Sequence, residues 1–146
     1  MKVNVHEIPK SGLVLEEEKL ASELDLERGD FKFSQPVTIK VQIERERDSV
    51  NIHMDIYSQI TFSCGRCLKR VDLPLKKKID LVRPVQGETV IDLTQIGREE
   101  IILDYPVKLI CRPDCRGLCP QCGRDLNQSE CGCREGKNPV SGGLPL

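Results

Sequence analysis

The sequence predicts an α+β fold, an antiparallel β-meander with a short helix and a C-terminal Cys-rich module. Three observations carry that expectation. Apolar and polar residues alternate with period two through much of the stretch from Val37 to Leu81, the segment 93–104 has helical character, and eight cysteines fall in four close pairs. Only five of the 146 residues are aromatic, so any core is largely aliphatic.

The elements follow in order. Residues 13–28, with Leu13, Leu20, Leu24 and Leu26 among many Glu, suit a helix or an extended wrap. Val37, Ile39, Val41 and Ile43 alternate with Thr38, Lys40, Gln42 and Glu44, which marks a strand with one dry face. After the polar link 45–49 the pattern resumes, with Val50, Ile52, Met54, Ile56, Ile60 and Phe62 on one face and Ser58 among them. A third run puts Val71, Leu73, Leu75, Ile79 and Leu81 on one face. Lys77 interrupts that face, which calls for a bulge or for a snorkelling side chain. Together these predict a three-stranded meander with Cys64-Gly65-Arg66-Cys67 at the tip between its second and third strands. Residues 93–104 read as a short helix with Thr94 as candidate cap, Gly97 as a weak point and Tyr105-Pro106 as its end. Val107-Lys108-Leu109-Ile110 reads as a strand leading into the second cysteine group.

Formal net charge is −1, which excludes a bulk polycation that coats nucleic acid by charge alone. The charge is uneven. Residues 1–31 carry four Lys/Arg against eight Asp/Glu, and residues 62–83 carry seven against two. No run of about 18 apolar residues exists, so no transmembrane helix and no membrane partner are expected. The first residues lack the apolar stretch of a secretory signal, so a cytoplasmic location is expected. Thiols are kept reduced there, and clustered cysteines more often bind metal than form disulfides.

The cysteines are Cys64, Cys67, Cys111, Cys115, Cys119, Cys122, Cys131 and Cys133, spaced C-x2-C, C-x3-C, C-x2-C and C-x-C. Eight thiolates make two tetrahedral sets of four, the donor set of structural zinc. Cys119, Cys122, Cys131 and Cys133 have the look of one complete site, with Pro120 and Gly123 suited to the tight turn. That leaves Cys111 and Cys115 to meet Cys64 and Cys67. Grouping Cys111 and Cys115 with Cys119 and Cys122 also fits the spacing. An iron–sulfur cluster uses the same donors, and spacing does not separate it from zinc. The only histidines are His6 and His53, and His53 lies on a polar strand face. A catalytic zinc keeps an open position and usually takes His or carboxylate, so two structural Zn2+ ions are expected. Zinc binding would compensate for a core short of aromatics. One domain, 1–135, is then expected, with a zinc module joining 64–67 to 111–133, followed by a flexible tail, 136–146.

Basic residues accompany the cysteines. Arg66, Lys69, Arg70, Lys76 and Lys78, with Arg112, Arg116 and Arg124, form a candidate RNA-backbone contact surface. The competing reading is local. Each four-thiolate zinc carries a formal charge of about −2, which moves the chain from −1 to about −5, and nearby cations offset it. With no RNP-type aromatic motif, any RNA contact is expected to be backbone- or shape-directed, or the partner to be a protein. P-loop, G-x-S-x-G, H-E-x-x-H and G-x-G-x-x-G motifs are absent, and Glu16-Glu17-Glu18 reads as a solvated face. A thiol oxidoreductase using Cys64 and Cys67 fits poorly, because such a pair normally starts a helix and here strands flank it.

Cys64-Gly65-Arg66-Cys67-Leu68, then Ile91-Asp92-Leu93, Glu100-Ile101-Ile102-Leu103 and Pro106, then Cys111, Cys115-Arg116-Gly117-Leu118-Cys119-Pro120-Gln121-Cys122-Gly123-Arg124-Asp125-Leu126-Asn127 and Cys131-Gly132-Cys133, resemble the YceD family. Its members are called large ribosomal RNA subunit accumulation proteins. The order and spacing match over roughly residues 35–133. The resemblance implies a non-enzymatic ribosome-biogenesis factor supporting accumulation or processing of large-subunit (23S) rRNA. Its expected partners are the rRNA precursor or a pre-ribosomal particle, including ribosomal proteins, and no small-molecule substrate is expected. The alternative is a zinc-stabilised protein–protein interaction adaptor.

Overall fold

The computed structural model describes residues 1–87 and 89–133, and the expected flexible tail lies outside the described residues. The chain forms two compact units. One comprises Met1–Thr61 with Asp72–Pro106, the other Phe62–Val71 with Val107–Leu146. The described residues are mostly antiparallel strands with one short helix. None of their helices is long and apolar enough to cross a membrane.

In the first unit the strands are β1 (Lys2–Asn4), β2 (Leu13–Lys19), β3 (Lys32–Phe33), β4 (Val37–Arg45), β5 (Ser49–Ser63), β6 (Arg70–Pro84) and β7 (Val90–Asp92), with helix α1 (Leu93–Leu103). The ends of β5 and β6 beyond Thr61 and before Asp72 belong to the second unit. β4 and β5 are the hairpin that the alternation predicts, with Val41 opposite Met54 and Ile43 opposite Ile52. Val37, Ile39, Val41 and Ile43 of β4 and Val50, Ile52, Met54 and Ile56 of β5 are each at most 1% exposed. Burial of one such side chain contributes about 1.5–3 kcal/mol, and this aliphatic layer does the work that aromatics do elsewhere.

The meander is wider than the three strands expected. β2 pairs with β4, Leu15 opposite Val41, so residues 13–28 begin as an edge strand and continue as turns. β3 pairs with β5 through Phe33 and Ile60. β6 pairs with β5, and the side-chain contacts Thr61–Asp72, Asp55–Lys78 and His53–Asp80 fall in antiparallel order. β1 and β7 form a separate two-stranded sheet. At three residues each, they are too short to show a period. Lys77 keeps the inward face of β6 without breaking the strand. Its ammonium snorkels to the end of α1, 2.8 Å from the Glu100 carbonyl and 3.2 and 3.3 Å from the Glu100 and Asp104 carboxylates. The partial negative charge of a helix C-terminus favours a cation there.

The helix is present, but Thr94 is not its cap. Asp92 is, its carboxylate accepting from the Gln95 N–H at 3.1 Å. Thr94 lies inside the first turn and donates its hydroxyl to Glu17 at 2.6 Å. Glu16 and Glu18 face solvent on an edge strand, where charge discourages pairing with another sheet. Glu17 turns inward. Burial pushes its carboxyl up, but the Thr94 hydroxyl and nearby positive charge outweigh that and hold it below the usual range. A depressed folded value contributes stability above the unfolded pKa and loses it as pH falls through the folded one. Glu17→Gln is therefore expected to cost about 0.5–1 kcal/mol at pH 7, after allowing for its partial exposure. Urea unfolding of both proteins should show that difference disappear in acid. A constant difference down to pH 3 would contradict it.

Candidate metal centre

The cysteine-bearing unit is built from turns. After β5 the chain reverses through Cys64-Gly65-Arg66-Cys67, with the Cys64 N–H donating to the Lys69 carbonyl at 2.8 Å and the Leu68 N–H to the Cys64 carbonyl at 2.9 Å. The first cysteine pair thus sits at the predicted hairpin tip. Residues 107–110 are not a strand. Among the described residues they contribute one backbone bond to this tip, Gly65 N–H to Leu109 carbonyl at 2.6 Å, and Val107 is 99% exposed. Four residues with no partner strand in reach do not make a ladder, whatever their propensity.

The second turn runs from Gly117 to Leu126. Leu118 pairs with Asp125, the Cys119 N–H donates to Arg124 at 2.8 Å, and the Gly123 N–H closes onto the Cys119 carbonyl at 2.8 Å. Gly117 has φ +76°, and a Cβ there would lie 3.1 Å from the Arg66 carbonyl. A side chain at that position would be both strained and crowded against the first turn.

These turns gather the sulfurs into two sets, Cys64, Cys67, Cys111, Cys115 and Cys119, Cys122, Cys131, Cys133, each with all four Sγ atoms within 4.8 Å of one another. That is the grouping reached from spacing by assigning the leftover pairs to each other. Cys64 and Cys115 Sγ are 3.8 Å apart, Cys67 and Cys111 3.7 Å, and Cys119 and Cys131 3.4 Å. These are not disulfides, and all eight thiols are free. Cys64, Cys67, Cys115 and Cys119 are buried and Cys122 is exposed. Each set can hold a metal ion.

The thiols do not share one acidity. Burial pushes Cys64 up, but the backbone N–H groups of Cys67, Arg66 and Cys111 outweigh it and hold the thiol at about 6. Burial and the sulfurs of Cys115, Cys67 and Cys64 push Cys111 up to about 12. In the second set the N–H groups of Cys122 and Gln121 hold Cys119 at about 6, and the Cys119 sulfur with burial drives Cys133 to about 12. A first thiolate, stabilised by inward-pointing amides, makes a second costly unless a cation joins them.

One participant escaped the sequence reading. The Asn127 amide donates to Cys115 Sγ at 3.4 Å, and its Oδ1 accepts from the Arg116 N–H at 2.9 Å and from Arg112 at 2.8 Å. Asp125 in turn accepts from both nitrogens of Asn127 at 2.9 Å. The signal was an Asp-x-Asn turn between cysteine pairs, where a side chain can orient a sulfur. Asn127→Ala is expected to weaken metal retention about tenfold, the lower end for outer-shell changes. Competition against a chromophoric chelator checks this, and unchanged competition would remove the assigned role.

The candidate RNA-binding residues separate between the two units. Lys76 and Lys78 lie on the exposed face of β6 in the first. Arg66, Lys69, Arg70, Arg112, Arg116 and Arg124 are exposed on the second. Arg66 is engaged locally with the Cys115 carbonyl at 3.0 Å, Arg112 with Asn127 and Asp114, and Arg124 with the Glu130 carbonyl at 3.3 Å. His53 is exposed against Asp80.

Residues 78–142 match the family model described as large ribosomal RNA subunit accumulation protein YceD. The chain is 27% identical over 136 residues to YlbN of Bacillus subtilis, covering 83% of this chain and 78% of that protein. It is 33% identical over 105 residues to Rv2926c of Mycobacterium tuberculosis, covering 60% and 50%. An alignment of 155 residues gives 37% identity to the chloroplastic large ribosomal RNA subunit accumulation protein YCED homolog 1 of Zea mays, covering 73% and 53%. The chain thus spans about half the length of the last two. No solved structure matches.

Proposed function

Because this chain belongs to the YceD family, we propose that it is a non-enzymatic factor supporting accumulation of large-subunit rRNA, acting on the rRNA precursor or an assembling particle. The observation that carries the non-enzymatic part is the donor set. Four thiolates complete a tetrahedral shell and leave no position for a substrate or water. In this reading Cys64, Cys67, Cys111 and Cys115 hold one zinc ion, and Cys119, Cys122, Cys131 and Cys133 hold another. A tetrahedron with bonds of about 2.3 Å has edges of about 3.8 Å, close to the sulfur separations present. A two- or four-iron cluster spreads its four cysteines over more than one iron, which sets some of the sulfurs farther apart than 4.8 Å. The acidic Cys64 thiol reads as a ligand too, since a reactive thiol is normally accessible and Cys64 is fully buried.

The ions crosslink a segment that has little core among its described residues, and the basic residues around it meet phosphate. Lys69 and Arg116 are the contacts of choice in the metal-bearing unit. Changing both to Glu is expected to reduce co-sedimentation with large-subunit precursors and to flatten its salt dependence. Co-sedimentation unchanged by the double reversal would favour a protein-interaction adaptor. Unaltered 23S rRNA levels on deleting the gene would defeat the assignment.

A further inference from the structure

Four of the five aromatic rings are wholly or partly withdrawn from solvent. Phe31 and Phe62 are buried, and Phe33 and Tyr105 pack against Phe31 with ring centroids at 5.6 and 4.6 Å. Tyr57 is the most exposed of the five. It lies on the open, polar face of β5, opposite Thr38, at 38% exposure. An aromatic on a solvated strand face gains little from the fold beyond its own strand propensity.

Its surroundings are specific. Tyr57 borders a shallow depression of about 260 Å³ walled by Gln35, Pro36, Gln59, Pro74 and Lys76. The other basic side chains of this sheet face are engaged: Lys40 lies 3.6 Å from Glu16, Lys78 4.0 Å from Asp55 and His53 2.5 Å from Asp80. Lys76 has no ion pair among the described residues, and neither glutamine amide is taken up by a hydrogen bond there. A flat apolar wall, an unengaged ammonium and two free amides stand within one dish.

We propose that this dish is a site for one unpaired nucleotide of single-stranded RNA. The base stacks on Tyr57 between the two prolines, Lys76 meets the adjoining phosphate, and Gln35 and Gln59 reach the base edge. A planar base offers a π-face to the tyrosine and polar edges to the amides, and its phosphate is the anion that Lys76 lacks. A proline-rich peptide would use the tyrosine and prolines but leave the lysine without a partner. The site rests on the RNA-directed reading above and extends it. It adds a base-stacking contact, located in the first unit, to the backbone contacts of the cysteine-bearing unit.

The test is fluorescence anisotropy of an end-labelled, unstructured RNA oligonucleotide against the full chain, with a duplex of the same composition as control. Tyr57→Leu, which keeps apolar bulk and removes the ring face, is expected to weaken single-strand binding about tenfold and leave duplex binding unchanged. Tyr57→Phe should bind as the parent does. Lys76→Gln should lower the slope of log affinity against log salt by about one. Equal single-strand affinity of the parent and Tyr57→Leu would overturn the site while leaving the rRNA reading intact. Binding of neither RNA by the parent would overturn both. Capture of a proline-rich peptide in place of RNA at Tyr57 would also overturn it.

Discussion

Replacing Cys64 by Ser is expected to halve the metal content of the purified protein and to abolish the cooperative unfolding of the cysteine-bearing unit. Cys64 is fully buried with Cys67 and Cys115, and together with Cys111 they complete one four-sulfur set. Among the described residues the apolar side chains packed around that set are few, namely Val71, Ile110 and Leu118, so they offer little other source of stability. Structural zinc contributes on the order of 10 kcal/mol of folding free energy in small peptides, which a core this size does not replace. Native mass spectrometry should find two ions on the parent and one on Cys64→Ser. A chelator strong enough to strip both ions should unfold this unit while the β4–β5 layer keeps its far-ultraviolet strand signal. Retention of two ions by Cys64→Ser, or an unfolding profile indifferent to chelation, would remove the metal from the account of stability.

Gly97→Leu is expected to cost about 3 kcal/mol, the upper end for overpacking a filled core. Glycine in a helix interior is ordinarily unfavourable by about 1 kcal/mol relative to alanine, and nothing about the backbone here requires it. The reason is the sheet beneath. A Cβ at this position would lie 3.2 Å from Ile39 Cδ1, 3.3 Å from Met54 Sδ and 3.6 Å from Ile56 Cδ1. The helix rests on β4 and β5 through the missing side chain, and Leu93, Ile96 and Ile101 are buried around it. Gly97→Ala sets a propensity gain of about 1 kcal/mol against crowding of a few tenths of an ångström, and should be close to neutral. Urea unfolding of both variants checks the pair. A leucine variant as stable as the parent would mean that the helix can lift without loss.

How much of this was legible depended on whether the deciding force was local. The faces of β4, β5 and β6 follow from alternation because burial of one side repeats every second residue along a long strand. Lys77 was visible as an anomaly, but its resolution needed the position of Glu100 and Asp104, more than twenty residues away. Gly97 was visible too, and its cause lies in Ile39 and Met54. The helix cap went to Asp92 over Thr94 because the cap must keep extended backbone, and one residue decides that. Val107 to Ile110 had strand-like composition without a strand to pair with. β1 and β7 were too short to carry a signal. Within the metal centre the two cysteine groupings were both compatible with spacing, and the turn closed by Gly117 against Arg66 is what separates them.

The two sulfur sets differ in how far along the chain their members lie, and this gives them different histories during synthesis. Cys119 and Cys131 are 12 residues apart, whereas Cys67 waits 44 residues for Cys111 and Cys64 waits 51 for Cys115. Closing a short loop loses less chain entropy and happens sooner than closing a long one. Yet Cys64 and Cys67 leave the ribosome well before any thiol of the other set. Through that interval the nascent chain carries a paired dithiol without its partners, open to oxidation or to capture of the wrong ion. The order of the cysteines therefore makes the hairpin tip the vulnerable end of the molecule at birth, although it is the most buried part of the sulfur array once the chain is complete.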